Sequence, residues 1–569
     1  MAGVRGFKDP NVVVSNFTGK NAFYQPIDST VTPKPPTGVS SLLPWHITDN
    51  YSNAASQCML AGSNGFKANQ GAYHKGNIDR WALNNTAYST GYYKRSDIPL
   101  HFALAEEWTV SDAYSQSIIA STNPNRVAWV SGSNGIDGGV VSGYNYIDNN
   151  ETPGSETAPS GLKISKYPLE HKTTAEYLND VGISWQVYQD TDNFDDNALA
   201  YFKQYQQAAK GSTLASRGMS FVGIDKFVSD AKAGTLPAVS YIVGPQALSE
   251  HPAAGPTDGA WLQRKIVEAV VNGANWDKTA LFISYDETGG WADHVMAPHP
   301  PQSEGGEWFS VNPYSPNDGP APAGPGFRLP FTIVSPWTRK GGVFTEWSAH
   351  ESQILFLEQW AAAQGKGFTT QEMNPWRRRE LSNLVRAFDF SAKDVSVPDL
   401  PTVRAPTTAS NGQYNGQTTC QAANPNHQPS PPYGKQNETT ALATETGFKA
   451  LRGNPTEGRF LTFESGGNAL TFDNTTAKTS MTAASSDHSN AAQRFILHAT
   501  AEKPSNTLFN LSPFNRKNSY LTAAGGITTS SSSAAVYNIV DLGNGAGYTL
   551  NIQGAASSDT RYKIYSVTY

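Results

Sequence analysis

Cysteine is nearly absent from this sequence, and charged residues are scarce. Only two cysteines occur, Cys58 and Cys420, and 16% of the residues are charged. Two cysteines so far apart form no disulfide framework, so they either pair with each other or remain free buried thiols. Globular proteins carry charge on about a quarter of their residues, so the low charge favours a secreted protein.

Long apolar runs and an excess of positive charge are also missing. No apolar run approaches the roughly 20 residues that a membrane-spanning helix needs. The formal net charge is −6 and the pI is about 6.0, which argues against a nucleic-acid-binding surface or a polybasic membrane patch. The opening stretch Met1–Phe7 has no charged segment followed by an apolar core, so it is not a signal peptide.

Several motifs of common enzyme classes are missing as well. The sequence contains no Gly-x-Ser-x-Gly elbow, which argues against an ordinary α/β-hydrolase esterase. It also lacks a P-loop, a Cys-x-x-Cys pair and a His-Glu-x-x-His motif. Asn-x-Ser/Thr sequons are present and support a secreted glycoprotein, which we expect to be a monomer. They lie at Asn16, Asn50, Asn84, Asn150, Asn437, Asn474 and Asn510.

The middle of the chain alternates predicted strands with predicted helices. Strands are predicted at Arg126–Val130, Ile183–Tyr188, Val239–Val243, Ala280–Tyr285 and Leu329–Val334, and helices at Thr174–Val181, Ala260–Val271 and Glu351–Ala363. This alternation predicts an α/β fold with a mostly parallel sheet. In such sheets the chemistry collects beyond the carboxyl ends of the strands.

The composition changes after about Leu400, and a chain of 569 residues is long enough for two domains. We predict one domain over residues 1–400 and a Pro/Asn/Gln-rich linker without regular structure over 401–439. Residues 440–569 show short alternating runs separated by Gly, Asn and Ser turns. They are predicted to form a small all-β domain, either a β-trefoil or a sandwich.

Two adjacent carboxylates follow the predicted strand Ala280–Tyr285. Asp286 and Glu287 come first, and a Gly-Gly turn then leads to Asp293 and His294. Adjacent acids repel, so a bound cation is one reason to place them together at a strand end. The alternative is a solvated turn with unpaired acids, but the Asp-His that follows favours a site.

A hydroxyl residue precedes a proline in a second cluster. Thr122 lies just before Pro124, Asn125 and Arg126. At the start of a helical turn, a hydroxyl can be a nucleophile close to backbone N–H groups that bind phosphate. The alternative is an ordinary helix N-cap residue. Arg126 would hold either a phosphate or a structural carboxylate.

Two histidines follow predicted elements. His251 lies shortly after the strand Val239–Val243, where it could protonate a leaving oxygen or bind phosphate. The alternative is a structural histidine. His350 opens a predicted helix and is interpreted as a helix-start residue, with catalysis as the alternative.

Four motifs in this order resemble the phosphoesterase family that holds bacterial and fungal phospholipases C and related acid phosphatases. They are Thr122-x-Pro124-Asn125-Arg126 with Ser131-Gly132, Ser249-Glu250-His251-Pro252, Tyr285-Asp286-Glu287 through Gly289-Gly290 to Asp293-His294-Val295, and Val334-Ser335-Pro336-Trp337. The resemblance covers roughly residues 1–390. It implies an alkaline-phosphatase-like α/β/α sandwich.

The resemblance also implies roles for individual residues. Thr122 corresponds to the nucleophile that forms a phospho-enzyme, and His251 to a catalytic histidine near the phosphate. Asp286 and Glu287, together with Thr122, correspond to ligands of a divalent metal ion whose identity the sequence does not give. The expected substrate-binding residues are Asn125, Arg126, Asp293 and His294.

The sequence departs from the family pattern at its start. The family's opening Glu-Asn-Arg-Ser-Phe-Asp motif, which supplies a core strand and further metal ligands, is missing. The family continues with a stretch like Met1–Phe7, where this sequence begins. We therefore expect a chain that lacks its start, binds metal poorly and hydrolyses little. Gln70 and Ala349 stand where many members have His and Asp.

The expected function is phospholipase C-type release of phospholipid head groups, for example from phosphatidylcholine or phosphatidylglycerol, with transient contact to a membrane surface. Two alternatives remain open. One is an acid phosphatase that acts on small phosphate esters. The other is a catalytically impaired chain whose β-domain binds sugar or a surface.

Overall fold

The computed structural model describes residues 4–5, 12–49, 51–60, 62–149, 167–425, 428–442, 445–501 and 503–568. The sequons at Asn50 and Asn150 and most of the opening stretch Met1–Phe7 lie outside these residues. No helix in the described ranges is long and apolar enough to cross a membrane.

Most of the α-helices lie in the first 380 residues. The α-helices in the described ranges are α1 (Asn53–Ser56), α2 (Phe66–Tyr73), α3 (Trp81–Asn84), α4 (Pro99–Glu107), α5 (Thr122–Ser131), α6 (Thr174–Asp180), α7 (Lys203–Gln206), α8 (Ile224–Ala233), α9 (Pro256–Val271), α10 (His350–Ala363), α11 (Pro375–Glu380), α12 (Gly416–Ala423) and α13 (Glu438–Ala441). The three predicted helices are confirmed as α6, α9 and α10. Helix α9 begins earlier than predicted because Pro256 fits its first turn.

One predicted strand is wrong. Residues Arg126–Val130 lie inside helix α5 rather than in a strand. A short apolar run between polar residues cannot be assigned by pattern alone, because a buried helix and a buried strand look the same over five residues. Here Val127 and Val130 pack into a core cluster with Trp185 and Leu199, and Pro124 lies in the first turn, where a helix tolerates it.

Strands fall into two groups. The first is β1 (Gln25–Pro26), β2 (Ser41–Leu42), β3 (Trp45–His46), β4 (Gly91–Tyr92), β5 (Thr109–Ser111), β6 (Trp185–Gln189), β7 (Val239–Val243), β8 (Leu281–Ser284), β9 (Trp308–Phe309), β10 (Ala321–Pro322), β11 (Phe331–Val334) and β12 (Gly342–Phe344). The second is β13 (Phe448–Arg452), β14 (Phe460–Ser465), β15 (Asn468–Asp473), β16 (Lys478–Ala483), β17 (Phe495–Ala499), β18 (Leu508–Pro513), β19 (Tyr520–Leu521), β20 (Ile527–Thr528), β21 (Tyr537–Asp541), β22 (Tyr548–Ile552) and β23 (Lys563–Val567).

The fold is α/β, but the large sheet is mixed rather than mostly parallel. Strand β11 pairs antiparallel with both β5 and β8, whereas β12 pairs parallel with β5, and β6 and β7 form a separate parallel pair. The expectation of a mostly parallel sheet is therefore wrong. The fully described segment between β8 and β11 contains no α-helix to serve as a crossover, so the chain returns antiparallel.

Helices cover both faces of the strands that carry the site. On one face, α5, α6 and α10 pack against β6 and β7 around Trp185 and Tyr241. On the other face, α4, α8 and α9 pack around Trp108, and this core also takes Ile242 of β7 and Ile283 of β8. The shared core places β7 and β8 near each other, so the loops that follow them can meet.

The strand-rich C-terminal region continues the large sheet. Strand β13 pairs parallel with β12 and antiparallel with β23, and the strands around it enclose an apolar core that includes Phe463, Phe495 and Leu511. Arg459 and Asp112, both fully buried, form an ion pair between the two parts of the chain, with Nη1 and Oδ2 2.6 Å apart. The predicted strand-rich character of this region is confirmed.

The described residues of the segment 401–439 are partly regular and contact the preceding part of the chain. It carries helix α12, which the predicted absence of regular structure did not allow for. Cys420 of this helix forms a disulfide with Cys58, so the two cysteines are paired rather than free. Further along, the Gln436 side chain donates a hydrogen bond to the Leu43 carbonyl at 2.9 Å. These contacts tie the segment to the N-terminal part of the protein.

Candidate active site

The two acids after β8 lie side by side but in different electrostatic surroundings. Arg126 Nε lies 2.9 Å from Asp286 Oδ2, whereas Glu287 Oε1 accepts a hydrogen bond from Asn64 Nδ2 at 2.8 Å. Burial alone would raise the pKa of Asp286, but the Arg126 guanidinium holds it below its usual range. Burial and the charge of Asp286 raise the pKa of Glu287 to about 8. At neutral pH, therefore, Asp286 is the ionised member of the pair.

Arg126 connects Asp286 to a third acid. Its Nη2 lies 2.9 Å from Asp196 Oδ2, and Asp196 is buried in the loop after β6. Burial raises the pKa of Asp196 to about 7, although Arg126 acts in the opposite direction. The guanidinium is thus shared between two carboxylates, one of which belongs to the acidic pair.

Thr122 is the first residue of helix α5 and is buried. Thr122 and Arg126 are four residues apart, so they lie on the same face of the helix. Because Arg126 reaches Asp286, this face is directed towards the acidic pair. The preceding residue, Ser121, donates from Oγ to Asp148 Oδ1 at 2.7 Å, which fixes the entry into the helix.

Asn125 is fully buried and holds the loop before the helix. Its Oδ1 accepts from the Ile118 backbone N–H at 2.9 Å, and its Nδ2 donates to the carbonyls of Ile118 and Ser121, both at 3.0 Å. These contacts use the amide to shape the loop that leads to Thr122. The structure therefore places Asn125 behind the site, although the sequence predicted that it binds substrate.

His251 is connected to Glu287 of the acidic pair by the side chain of Asn64. Its Nδ1 donates a hydrogen bond to the Pro252 carbonyl at 2.8 Å, which fixes the orientation of the ring. Nε2 lies 3.4 Å from Asn64 Nδ2, and the ring of Phe194 packs edge-on at 5.4 Å. Asn64 thus contacts both His251 and Glu287. Nothing in its Gly-Ser-Asn-Gly surroundings distinguishes Asn64 from an ordinary turn residue, so no sequence pattern indicates its role.

Asp293 and His294 lie in a neighbouring cluster. The carboxylate of Asp293 is bound by Arg328, with Nη2 to Oδ1 at 2.8 Å and Nε to Oδ2 at 3.1 Å. Burial favours a higher pKa for Asp293, but Arg328 holds it below the usual range. The ring of His294 packs against Phe23 at 4.3 Å. Asp293 thus fixes the loop after the Gly-Gly turn through Arg328, which the sequence analysis did not identify.

His350 supports the acidic pair from behind. Its Nε2 donates to the Asp286 carbonyl at 2.9 Å, and its Nδ1 accepts from the Tyr114 hydroxyl at 2.8 Å. Burial lowers the pKa of His350, which keeps the ring neutral with the proton on Nε2. His350 does open helix α10, as predicted, but it also fixes the backbone of Asp286.

The donor set at this site suits only certain cations. Among the described residues, no group of three or more His, Cys, Asp or Glu side chains is placed to hold a metal ion. Asp286 and Glu287 offer two carboxylates, which fits a hard divalent cation that takes its other ligands from water or substrate oxygens. Burial and the neighbouring charge of Asp286 raise the pKa of Glu287, and a bound cation would offset both effects.

Comparison with known proteins agrees with these motifs. A family model described as Phosphoesterase family matches residues 1–361. The non-hemolytic phospholipase C of Burkholderia pseudomallei is 35% identical over 441 residues, which cover 70% of this chain and 58% of that protein. The hemolytic phospholipase C of Pseudomonas aeruginosa is 31% identical over 431 residues, covering 70% of this chain and 55% of that protein.

A third relative, the phospholipase C B of Mycobacterium tuberculosis, is 30% identical over 421 residues, which cover 69% of this chain and 74% of that protein. The chain spans little more than half the length of the first two relatives. The region of similarity includes the strand end with the acidic pair and helix α5.

Proposed function

The chain belongs to the phosphoesterase family, and from that membership we propose that it hydrolyses phosphate esters. We infer that the reaction is a phospholipase C-type release of phospholipid head groups, since the relatives described above carry that name. The observation that carries the proposal is the meeting of Arg126, Asp286 and Glu287 at the end of β8 with His251 and Asn64.

The proposed mechanism uses Thr122 as nucleophile. Its hydroxyl releases its proton to solvent and the oxygen attacks phosphorus, while the bond from phosphorus to the alcohol oxygen breaks. Water then attacks the phosphothreonine, phosphate is released, and the threonine oxygen regains a proton. Arg126 and the Thr122 backbone N–H at the start of α5 would face the phosphoryl oxygens and stabilise their negative charge. His251, when protonated, donates from Nε2 to the leaving alcohol oxygen.

Asp286 and Glu287 would hold a divalent cation. When bound, such a cation lowers the pKa of a coordinated hydroxyl and neutralises phosphoryl oxygens. Asn64 orients Glu287 for this role by donating to one of its oxygens, and His350 fixes the Asp286 backbone. Asp293, His294 and Asn125 act in this proposal by shaping the loops that receive the substrate.

We also infer an alkaline-phosphatase-like α/β/α arrangement for the first part of the chain from its family membership, and a β-trefoil or sandwich for the strand-rich region from its short strands. The low charge and the sequons support a secreted glycoprotein. We further propose that the protein is a monomer that contacts a membrane surface transiently. The strand-rich region would then bind sugar or that surface.

The proposed nucleophile can be tested with a matched control. Thr122→Ala is expected to lower the hydrolysis of p-nitrophenyl phosphorylcholine by at least about a thousandfold, because no other group replaces the attacking oxygen. Thr174→Ala is the control, since Thr174 is also a buried first residue of a helix, α6. It should retain activity. Equal rates for wild type and Thr122→Ala would refute the assignment.

The substrate class is tested in parallel. Wild type is compared on phosphatidylcholine vesicles, phosphatidylglycerol vesicles and p-nitrophenyl phosphate, with and without added Mg²⁺, Mn²⁺, Ca²⁺ or Zn²⁺. Head-group release without hydrolysis of p-nitrophenyl phosphate supports the phospholipase C reaction. The opposite preference indicates an acid phosphatase.

A further inference from the structure

A buried carboxylate lies directly beside His251 in the chain and takes no part in the proposed chemistry. The side chain of Glu250 is only 9% exposed. Its Oε2 accepts from the Tyr285 hydroxyl at 2.6 Å, and its Oε1 accepts from Gln263 Nε2 at 2.7 Å. His101 Nε2 lies 3.0 Å from Oε1 and 3.1 Å from Oε2. Three separate elements therefore converge on one side chain.

The contact between Glu250 and Tyr285 connects the segments that carry His251 and the acidic pair. Tyr285 immediately precedes Asp286, and Glu250 immediately precedes His251. The hydrogen bond between Tyr285 and Glu250 therefore joins the end of β8 to the loop after β7. Gln263 also donates to the Tyr285 hydroxyl at 2.9 Å, so helix α9 holds both members of this contact.

The surrounding chain is built to accommodate this carboxylate. A Cβ added to Gly259 of helix α9 would lie 2.0 Å from Glu250 Cγ, so only glycine leaves room for the side chain. Glu250 itself has a φ of +63°, a left-handed conformation that is unfavourable for a residue with a long side chain. Strain of this kind persists only where surrounding contacts fix it.

The geometry of the contact with Tyr285 is that of a strong hydrogen bond. The Tyr285 hydroxyl lies only 2.6 Å from Glu250 Oε2. A hydrogen bond from a hydroxyl to a carboxylate is shorter and stronger than a bond between neutral groups.

We propose that Glu250 is a positioning residue that sets the distance between His251 and the Asp286–Glu287 pair, with Tyr285 as its partner. The inference rests on the proposed function of that pair. Without the contact, the loop after β7 and the end of β8 remain folded but lose their fixed separation. A misplacement of about 1 Å can lower a rate by about a hundredfold.

The test removes one hydrogen bond and preserves the packing. Tyr285→Phe is expected to lower kcat for p-nitrophenyl phosphorylcholine by about tenfold with little change in KM, within the range that misplacement produces. Tyr188→Phe is the matched control, because the Tyr188 hydroxyl donates to the buried Asp230 at 3.0 Å, away from the site. The control should lose a similar amount of thermal stability and retain its kcat.

A second pair of variants checks that the partners act together. Glu250→Gln retains the shape of the side chain but brings N–H groups to face the donors, so a larger fall in kcat is expected. The double variant with Tyr285→Phe should be no worse than Glu250→Gln alone, because residues in one network are not additive. If the two substitutions lower kcat independently, so that the double variant shows the product of the two single effects, the positioning role is contradicted.

Failure of this inference can be told from failure of the proposed function. If wild type is active, Thr122→Ala is inactive and Tyr285→Phe keeps the wild-type kcat, the positioning role is refuted and the function stands. If wild type does not hydrolyse phosphate esters, the positioning role is tested by the NMR signals of the His251 ring in protein with isotope-labelled histidine. They should shift in Tyr285→Phe and remain in place in Tyr188→Phe, and unchanged signals in both variants would overturn the proposal.

Discussion

Arg126 is the residue that distinguishes the two adjacent acids. Its guanidinium contacts Asp286 and Asp196 but not Glu287, so it lowers the pKa of Asp286 while Glu287 keeps a raised one. The sequence contains the two acids and the arginine but does not indicate which acid pairs with the arginine. The pairing depends on the direction of helix α5, where the sequence pattern predicted a strand.

Removing the positive charge of Arg126 should destabilise the fold. Arg126→Met keeps an apolar stem but takes away the partner of two largely buried carboxylates, and breaking such a pair costs about 3–5 kcal/mol. The free energy of unfolding in urea measures the loss. Arg264→Met is the control, because Arg264 pairs with the half-exposed Glu268 on α9 and should change stability by no more than about 1 kcal/mol. Equal losses would contradict a special role for Arg126.

Glu287 should make stability depend on pH. Its folded pKa of about 8 lies above the unfolded value, so its contribution is complete below about pH 4 and is lost as the pH rises through about 8. In buffer with a chelator, the free energy of unfolding should therefore fall between about pH 5 and pH 8. Glu287→Gln should remove part of that fall.

Asp196 contributes a further part of the fall, because its raised pKa acts in the same direction. Asp225→Asn serves as the control, because this acid of helix α8 has a side chain that is 89% exposed. Its profile should follow wild type. A Glu287→Gln profile with the full wild-type slope would contradict the assigned pKa.

At the level of helices and strands, sequence patterns predicted local elements better than long-range contacts. Helices α6, α9 and α10 and strands β6, β7, β8 and β11 follow the periodicity of their residues. The prediction of a strand at residues of helix α5 is wrong because a five-residue run rich in apolar residues does not distinguish a buried helix from a buried strand. The contacts of Asn64 with Glu287 and of Tyr285 with Glu250 join segments distant in sequence, so no local pattern encodes them.

Helix α12 is a second case in which a long-range contact determines a structure that the local sequence does not predict. Its residues lie in a segment whose composition predicts no regular structure, and the disulfide to Cys58 holds it in place. Composition describes what a segment would do alone, whereas a covalent contact across 362 residues restricts the unfolded chain. The position of each cysteine in the sequence did not identify the other as its disulfide partner.

Loss of this disulfide should release the segment 401–439 selectively. The Cys58→Ser/Cys420→Ser variant is expected to be less stable by about 2–4 kcal/mol, and limited proteolysis should cut it within 401–439. Reduced wild type should show the same new cleavage. Cleavage sites identical to those of oxidised wild type would mean that the other contacts, such as that of Gln436, suffice.

For the whole molecule, the strand-rich region and the first part of the chain share one sheet. Strand β13 pairs with β12, which pairs with β5, so hydrogen bonds run continuously across the boundary. The pair of Arg459 and Asp112 is fully buried at the same place. Two parts connected in this way should unfold together rather than independently.

Arg459→Met should therefore affect the entire protein. It removes the cationic partner of a fully buried carboxylate, and breaking such a pair costs about 3–5 kcal/mol. Calorimetry should show a single transition at a lower temperature. Adding Asp112→Asn should recover part of the loss, because the buried charge disappears. Arg386→Met, at a partly exposed pair with Glu346, is the control and should shift the transition little. A separate early transition in Arg459→Met would show instead that the strand-rich region unfolds on its own.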